Sequence, residues 1–259
     1  RHGQGARLKL SYVQRGEGKD LVFLHGYLAS KESFYPQISY FSQFYRVTAL
    51  DFPGFGGAEA LPAAWSVKDY ADWLVAALEE LHIAFPHVVA HSFGGRVAVK
   101  CLARGNVFDR AVLTGCAGIV PRRTAGYKLR VRCYRAVRKI APKYAERHFG
   151  SKEYRSLPPL MRESYKKIVN EDLRGDATRI RRPVLFITGS EDTETPLSST
   201  MIYVHAVRGS RLFVMEGCGH FAHLENALAF NAKTEEFLQW ESGRSSPISQ
   251  EVCSRATSS

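Results

Sequence analysis

Hydrophobic positions follow two alternating rhythms along this chain. Short apolar runs appear at Asp20–Leu24 (D-L-V-F-L), Tyr45–Leu50, His87–His91 (H-V-V-A-H) and Arg110–Thr114, and again at Pro183–Thr188 and Arg211–Met215. Runs of this length, bounded by turn residues, predict strands buried on both faces. Leu8–Gln14 alternates weakly, as an edge strand would. Between the runs lie stretches of helical period. Ser33–Phe44 is rich in aromatics. Ser66 stands three residues before Asp69, a capping-box variant, and opens a stripe of Val67, Tyr70, Leu74, Leu78 and Leu81. Further helices are predicted at Arg96–Leu102, Leu197–Val207 and Leu224–Trp240. Buried strands alternating with helices predict an α/β fold, a mostly parallel sheet with helices on both faces.

The alternation stops after residue 120. Residues 121–175 are helical in composition, with breaks at Pro142, Gly150 and Pro158-Pro159, and read as an insertion between two strands. Residues 1–120 and 176–241 then form the core. From about Ser242 the chain is polar and Ser-rich, so 242–259 is expected to be a flexible tail. The length of 259 residues suits one sizeable domain.

Charge is concentrated rather than spread. The whole chain carries +11, but residues 121–182 hold 19 Lys and Arg against six Asp and Glu, a net +13, leaving −2 elsewhere. The excess could attract anionic substrates to the inserted segment. No nucleic-acid-binding motif accompanies it, so no such partner is expected. No run approaches the ~20 apolar residues of a membrane span, and no signal-peptide core follows Arg1. A cytoplasmic location is the expectation, although a start at Arg1 leaves room for a removed leader. The five cysteines are odd in number and form no C-x-x-C pair, which predicts free thiols rather than a zinc site or a disulfide framework.

The densest chemistry lies at Val88–Gly95 (V-V-A-H-S-F-G-G). A strand runs into Ser92, with small residues two positions to either side (Ala90 and Gly94), and a helix-competent stretch follows. Such a strand–turn–helix is a nucleophile elbow in relaxed G-x-S-x-G form, with the serine at a helix N-terminus. Read alone, a glycine-rich turn with an exposed serine is the lesser alternative. A serine nucleophile needs a base and an acid to orient it. The strand at 184–188 runs into G-S-E-D, which offers Asp192 as the acid, with Glu191 as a one-residue alternative. The strand at 212–215 runs into E-G-C-G-H-F, which offers His220 as the base, with His223 as its competitor. Two backbone N–H groups could hold an oxyanion, those of Phe93, after the nucleophile, and Tyr27, after the first central strand. His25 could brace that loop.

The motifs L-H-G-Y (24–27), D-F-P-G-F-G (51–56), A-H-S-F-G-G (90–95), G-S-E-D (189–192) and G-C-G-H-F (217–221) occur in the order seen in α/β-hydrolases, and the chain resembles that superfamily over residues 8–241. The resemblance implies an eight-stranded, mostly parallel sheet and a helical cap, 121–175, above Ser92. It departs from aspartate-nucleophile branches at Ser92, from the G-H-W-x-Q signature of meta-cleavage hydrolases at G-H-F-A-H (219–223), and from the iminopeptidase elbow G-x-S-W-G. The expected activity is a carboxylesterase-like serine hydrolase forming an acyl-enzyme on Ser92, with Asp192, His220, Tyr27 and Phe93 in the roles above and no cofactor or metal. Alternatives are an acyl-CoA thioesterase, a lysophospholipase, a C–C bond hydrolase, or a small-molecule receptor on the same fold. The expected partner is a small ester-like molecule. Tyr127, Tyr134, Leu157 and Met161 are either pocket or cap core.

Overall fold

The computed structural model describes residues 8–120, 157–239 and 251–253. Its strands, in chain order, are β1 (Tyr12–Arg15), β2 (Asp20–Leu24), β3 (Arg46–Leu50), β4 (His87–His91), β5 (Ala111–Thr114), β6 (Val184–Gly189), β7 (Arg211–Met215) and β8 (Glu251–Cys253). They form one sheet in the order β1-β3-β2-β4-β5-β6-β7-β8. β1 runs antiparallel to β3 and every other pair is parallel. The chain steps from β2 outward to β3, then returns to place β4 on the other side of β2. This reversal opens a crevice at the carboxyl ends of β2 and β4, where open α/β sheets bind ligands.

Period two divides the buried strands between two cores. Val22, Leu24, Val88, Ala90, Leu113, Phe186 and Val214 face one side. They pack there against α2 (Val67–Glu80) and α3 (Phe93–Leu102), with Tyr203 of α6 (Leu197–Ala206). Leu21, Phe23, Val47, Val89, Val112, Ile187 and Phe213 face the other side, with α1 (Tyr35–Phe41) and α8 (Ala227–Gln239). The central strands are apolar throughout because both faces are covered. The expected capping box closes on α2: Asp69 N–H donates to Ser66 Oγ at 3.3 Å, and Ser66 N–H donates to Asp69 Oδ2 at 2.7 Å.

Three differences from the sequence reading have local causes. The aromatic stretch begins as a 3₁₀ turn at Lys31–Phe34 and becomes α1 only at Tyr35, with Pro36 in its first turn. The last helix is two helices, α7 (Ala222–Glu225) and α8, broken at Asn226, whose Oδ1 accepts the Ala229 N–H at 3.2 Å. The segment read as a flexible tail contributes β8, which covers the outer edge of β7; its polar composition conceals backbone pairing. Of the inserted segment, 121–156, including Tyr127 and Tyr134, lies outside the described residues. The remainder holds α4 (Pro159–Asn170) and α5 (Arg174–Ala177).

The D-F-P-G-F-G loop is organised around Asp51, which is fully buried at the end of β3. Its carboxylate accepts from Lys31 Nζ (2.6 Å), Lys31 N–H (2.8 Å), Ser11 Oγ (2.7 Å) and Gly57 N–H (2.9 Å). A side chain at Gly56 (φ +52°) would meet the carboxylate. Burial pushes the Asp51 pKa up, but the Lys31 and backbone hydrogen bonds outweigh it and hold it below its ordinary 3.8. Its stabilising contribution is therefore present above pH 3.8 and is lost as pH falls through the lowered value. Asp51→Asn is expected to cost about 3 kcal/mol at pH 7, because it removes the buried carboxylate that pairs with Lys31 and leaves only the exposed Glu32 to balance the ammonium. In urea unfolding, the gap to wild type should narrow below pH 4; a gap independent of pH contradicts this.

Candidate active site

Five loops meet at one edge of the sheet, each leaving the carboxyl end of a parallel strand. They carry His25–Tyr27 after β2, Ser92 after β4, Gly115 after β5, Asp192 after β6 and His220 after β7. Ser92 has φ +49° and ψ −106°, a conformation that L residues rarely adopt. The turn survives because α3 packs backbone to backbone against β2. A Cβ at Gly94 would lie 2.3 Å from the Leu24 carbonyl oxygen, and one at Gly95 would lie 2.8 Å from Cys116 Sγ. The two small positions after the serine thus have separate steric causes. On the other side, a Cβ at Gly26 would lie 2.8 Å from His91 Nδ1 and 3.5 Å from Ser92 Cβ, which brings the Tyr27 turn against the serine.

His220 and Asp192 are joined. His220 Nδ1–H donates to Asp192 Oδ2 at 2.9 Å. The other acceptor sites of the carboxylate are filled by the N–H groups of Glu194 (2.9 Å) and Thr195 (2.8 Å) and by Thr195 Oγ1 (2.7 Å). Burial pushes Asp192 up, but the His220 and Thr195 bonds outweigh it and hold its carboxyl below the ordinary range. Glu191, the alternative acid, is exposed. The acid and base loops are also tied to each other. Glu191 N–H donates to Cys218 O (2.9 Å), Gly217 N–H donates to Ser190 Oγ (2.9 Å), and a Cβ at Gly189 would overlap Cys218 O.

The backbone on either side of His220 is held as firmly. Glu225 accepts from Gly219 N–H (2.7 Å) and Phe221 N–H (3.2 Å). His91 Nε2–H donates to the His220 carbonyl at 3.0 Å, and the two rings lie 4.7 Å apart. The imidazole rests over Gly115, where a Cβ would come within 3.1 Å of the ring. Sequence reasoning passed over Glu225, Thr195, His91 and Gly115. The Glu225 and Gly115 contacts leave no distinctive spacing, whereas Thr195, three residues after Asp192, fits a carboxylate-capped turn.

Ser92 and His220 line a common cavity of about 690 Å³. Tyr27, Phe93, Tyr165, Ile168 and Phe221 supply much of its apolar wall, and His91, Arg96, Glu194 and Thr195 supply polar groups. No hydrogen bond joins Ser92 Oγ to His220 among the described residues. His220 Nε2 instead stands 3.5 Å from Glu194 Oε2. The backbone N–H groups of Tyr27 and Phe93 donate to no acceptor among the described residues. Leu157 lines the cavity, while Met161 packs in the core beneath Gly54. His223 lies outside the cavity, buried against Phe34 (4.8 Å), His91 and Phe230. His25 braces its loop, since Nδ1–H donates to Gly26 O (2.7 Å) and Nε2 accepts from Phe52 N–H (3.0 Å). Among the described residues, no cluster of three His, Cys, Asp or Glu is arranged to hold a metal.

Fold and site define an α/β enzyme built around a serine elbow. The alpha/beta hydrolase family model matches residues 21–233, and the chain belongs to that family. It is a hydrolase. It is 26% identical over 248 residues (88% of this chain, 93% of the relative) to an (E)-2-((N-methylformamido)methylene)succinate hydrolase of Acinetobacter baylyi. It is 23% identical over 259 residues (89% and 100%) to a pimeloyl-[acyl-carrier protein] methyl ester esterase of Aeromonas hydrophila. Among solved structures it resembles a meta-cleavage product hydrolase from Pseudomonas fluorescens, with a TM-score of 0.70 and 25% identity over 89% of this chain and 94% of that one. No helix among the described residues is long and apolar enough to cross a membrane.

The buried histidines set an acid limit on stability. Burial lowers His25 from 6.5 to about 4, outweighing its bond to Gly26, and lowers His223 from 6.5 to about 3. The unfolded chain protonates first, so their contribution is complete above pH 6.5 and is lost progressively as pH falls toward these values. Neither His223 ring nitrogen has a hydrogen-bond partner among the described residues. His223→Leu, which changes volume little, is expected to stay within about 1.5 kcal/mol of wild type at pH 7.5. Its urea midpoint should fall less steeply from pH 6.5 to 4; an unaltered acid slope contradicts this assignment.

Proposed function

We propose that the protein cleaves ester-type bonds of a small substrate through an acyl-enzyme on Ser92. The observation that carries this reading is the 2.9 Å His220–Asp192 bond at the wall of the cavity that Ser92 enters from a strained elbow. His220, with Nδ1 held by Asp192, has Nε2 available to take the Ser92 proton as Oγ adds to the carbonyl. That Ser92 and His220 line the same cavity supports this transfer. The unengaged N–H groups of Phe93 and Tyr27 stabilise the tetrahedral oxyanion, each worth roughly 3–4 kcal/mol, and the positive end of α3 adds to them. His220 returns the proton to the leaving group, and the same nitrogen activates water for deacylation. Its immobilised backbone keeps the imidazole in place through both steps.

The relatives support a hydrolase and include an esterase by name. A second reading, hydrolysis of a carbon–carbon bond, is favoured by the likeness to the meta-cleavage product hydrolase. A panel of aryl esters and vinylogous diketones separates the two. Ser92→Ala and His220→Ala are each expected to lower kcat by about 10⁴-fold or more, and Asp192→Asn by roughly 10⁴-fold through the wrong imidazole tautomer. A fluorophosphonate probe should label the wild type and leave Ser92→Ala unlabelled. Wild-type rates in Ser92→Ala contradict the mechanism.

A further inference from the structure

Arg96 is a charged residue that the chemistry above does not use. It stands one helical turn beyond Ser92, its backbone N–H donates to Ser92 O at 3.3 Å, and it is 8% exposed. A guanidinium offers five N–H donors in a planar fork. Nη1 uses two of them, donating to the carbonyls of Ile168 (2.8 Å) and Glu171 (3.0 Å) at the C-terminal end of α4. Those bonds tie the inserted segment to the elbow helix, but they occupy only one side of the fork. Among the described residues Nε and Nη2 donate to no acceptor, and no carboxylate oxygen lies within 4 Å. Glu171, whose carbonyl Arg96 holds, turns its own carboxylate to Lys100 Nζ at 2.6 Å, and Asp176 pairs with the same ammonium at 2.8 Å. The fold thus neutralises the neighbouring acids elsewhere.

A buried cation held only by carbonyl oxygens is costly unless a counter-charge arrives. Arg96 lines the same cavity as Ser92 and His220, so a ligand can supply one. We infer that the Nε–Nη2 edge of Arg96 binds a free carboxylate carried on the acyl part of the substrate. This rests on Ser92 being the nucleophile. The acyl part is the portion bonded to Ser92, about 6 Å along the helix axis from the Arg96 Cα. Arg96 and Ser92 line the same cavity, and long helical side chains lean toward the N-terminus, the end where the serine stands. The flat fork matches a carboxylate in two parallel bonds, which a lysine cannot reproduce. The substrate class is therefore the half-ester of a short dicarboxylic acid, or an equivalent acyl group ending in a carboxylate.

The test compares mono-p-nitrophenyl glutarate with p-nitrophenyl pentanoate in wild type, Arg96→Met and Arg96→Lys. Wild type should favour the glutarate ester at least tenfold in kcat/KM. The ratio should fall at least tenfold in Arg96→Met and severalfold in Arg96→Lys, with the change carried by KM. No wild-type preference, or an equal loss on both esters in the variants, overturns the inference and leaves Arg96 as a tie to α4. If Arg96→Met does not fold, Arg96→Lys decides by the same ratio. If wild type cleaves neither ester, the ester reading has failed separately. Thermal shift with glutarate then decides, where stabilisation of wild type but not of Arg96→Lys upholds the carboxylate site and its absence from wild type overturns it.

Discussion

The whole arrangement depends on how closely α3 approaches the end of β2. The first turn of the helix lies against the Leu24 and His25 carbonyls, so close that Gly94 has no room for a methyl group. That contact fixes where the elbow must turn, and the turn places Ser92 at φ +49°. The strained backbone is stable because β4, β5 and β6 continue their hydrogen bonding past it: Ser92 N–H donates to Thr114 O, and Gly115 N–H to Ile187 O. Strand order supplies the rest. Because the strand order reverses between β2 and β4, the Tyr27 turn lies beside the serine, and the Tyr27 and Phe93 N–H groups donate to no acceptor among the described residues.

Around this point the molecule fixes His220 from several sides. Asp192 holds the His220 ring, Glu225 and His91 hold its backbone, and Gly115 leaves the space in which it rests. Each holding group is itself held, as in the four donors that surround the Asp192 carboxylate. Polar groups buried this deeply are costly unless satisfied, and here nearly every bond also orients the imidazole. Two of the buried polar groups that the local structure leaves partly unmatched, His223 and Arg96, behave differently. His223 stays neutral and packs as an apolar ring. Arg96 lines the cavity with only part of its guanidinium bonded within the fold.

Much of this was legible in the residues. Continuous apolar runs identified the buried strands because both faces of the sheet are covered, and Ser66 with Asp69 announced α2 by its cap. Ser92, Asp192 and His220 stood out because each follows a recognisable strand, and strand ends are where an open α/β sheet binds its ligands. Less visible were contacts set by three-dimensional proximity. Glu225 reaches back to the His220 loop over a five-residue separation that carries no signature. Arg96 read as part of an apolar helix because its neighbours are Gly, Val and Ala, and its burial depends on α4, more than 60 residues away. The break at Asn226 was hidden within a helical period, and β8 within a polar tail, because sheet-edge pairing uses backbone atoms that composition does not report.

The central claim is that the strained elbow presents Ser92 as the atom that accepts the acyl group. Rapid mixing with a slowly deacylating aryl ester, followed by acid quench and peptide mass analysis, observes that bond directly. The account predicts a burst of one equivalent of phenol per active site and an acyl adduct on the peptide containing Ser92. Steady release without a burst, in the absence of any adduct, or an adduct on another residue would contradict it.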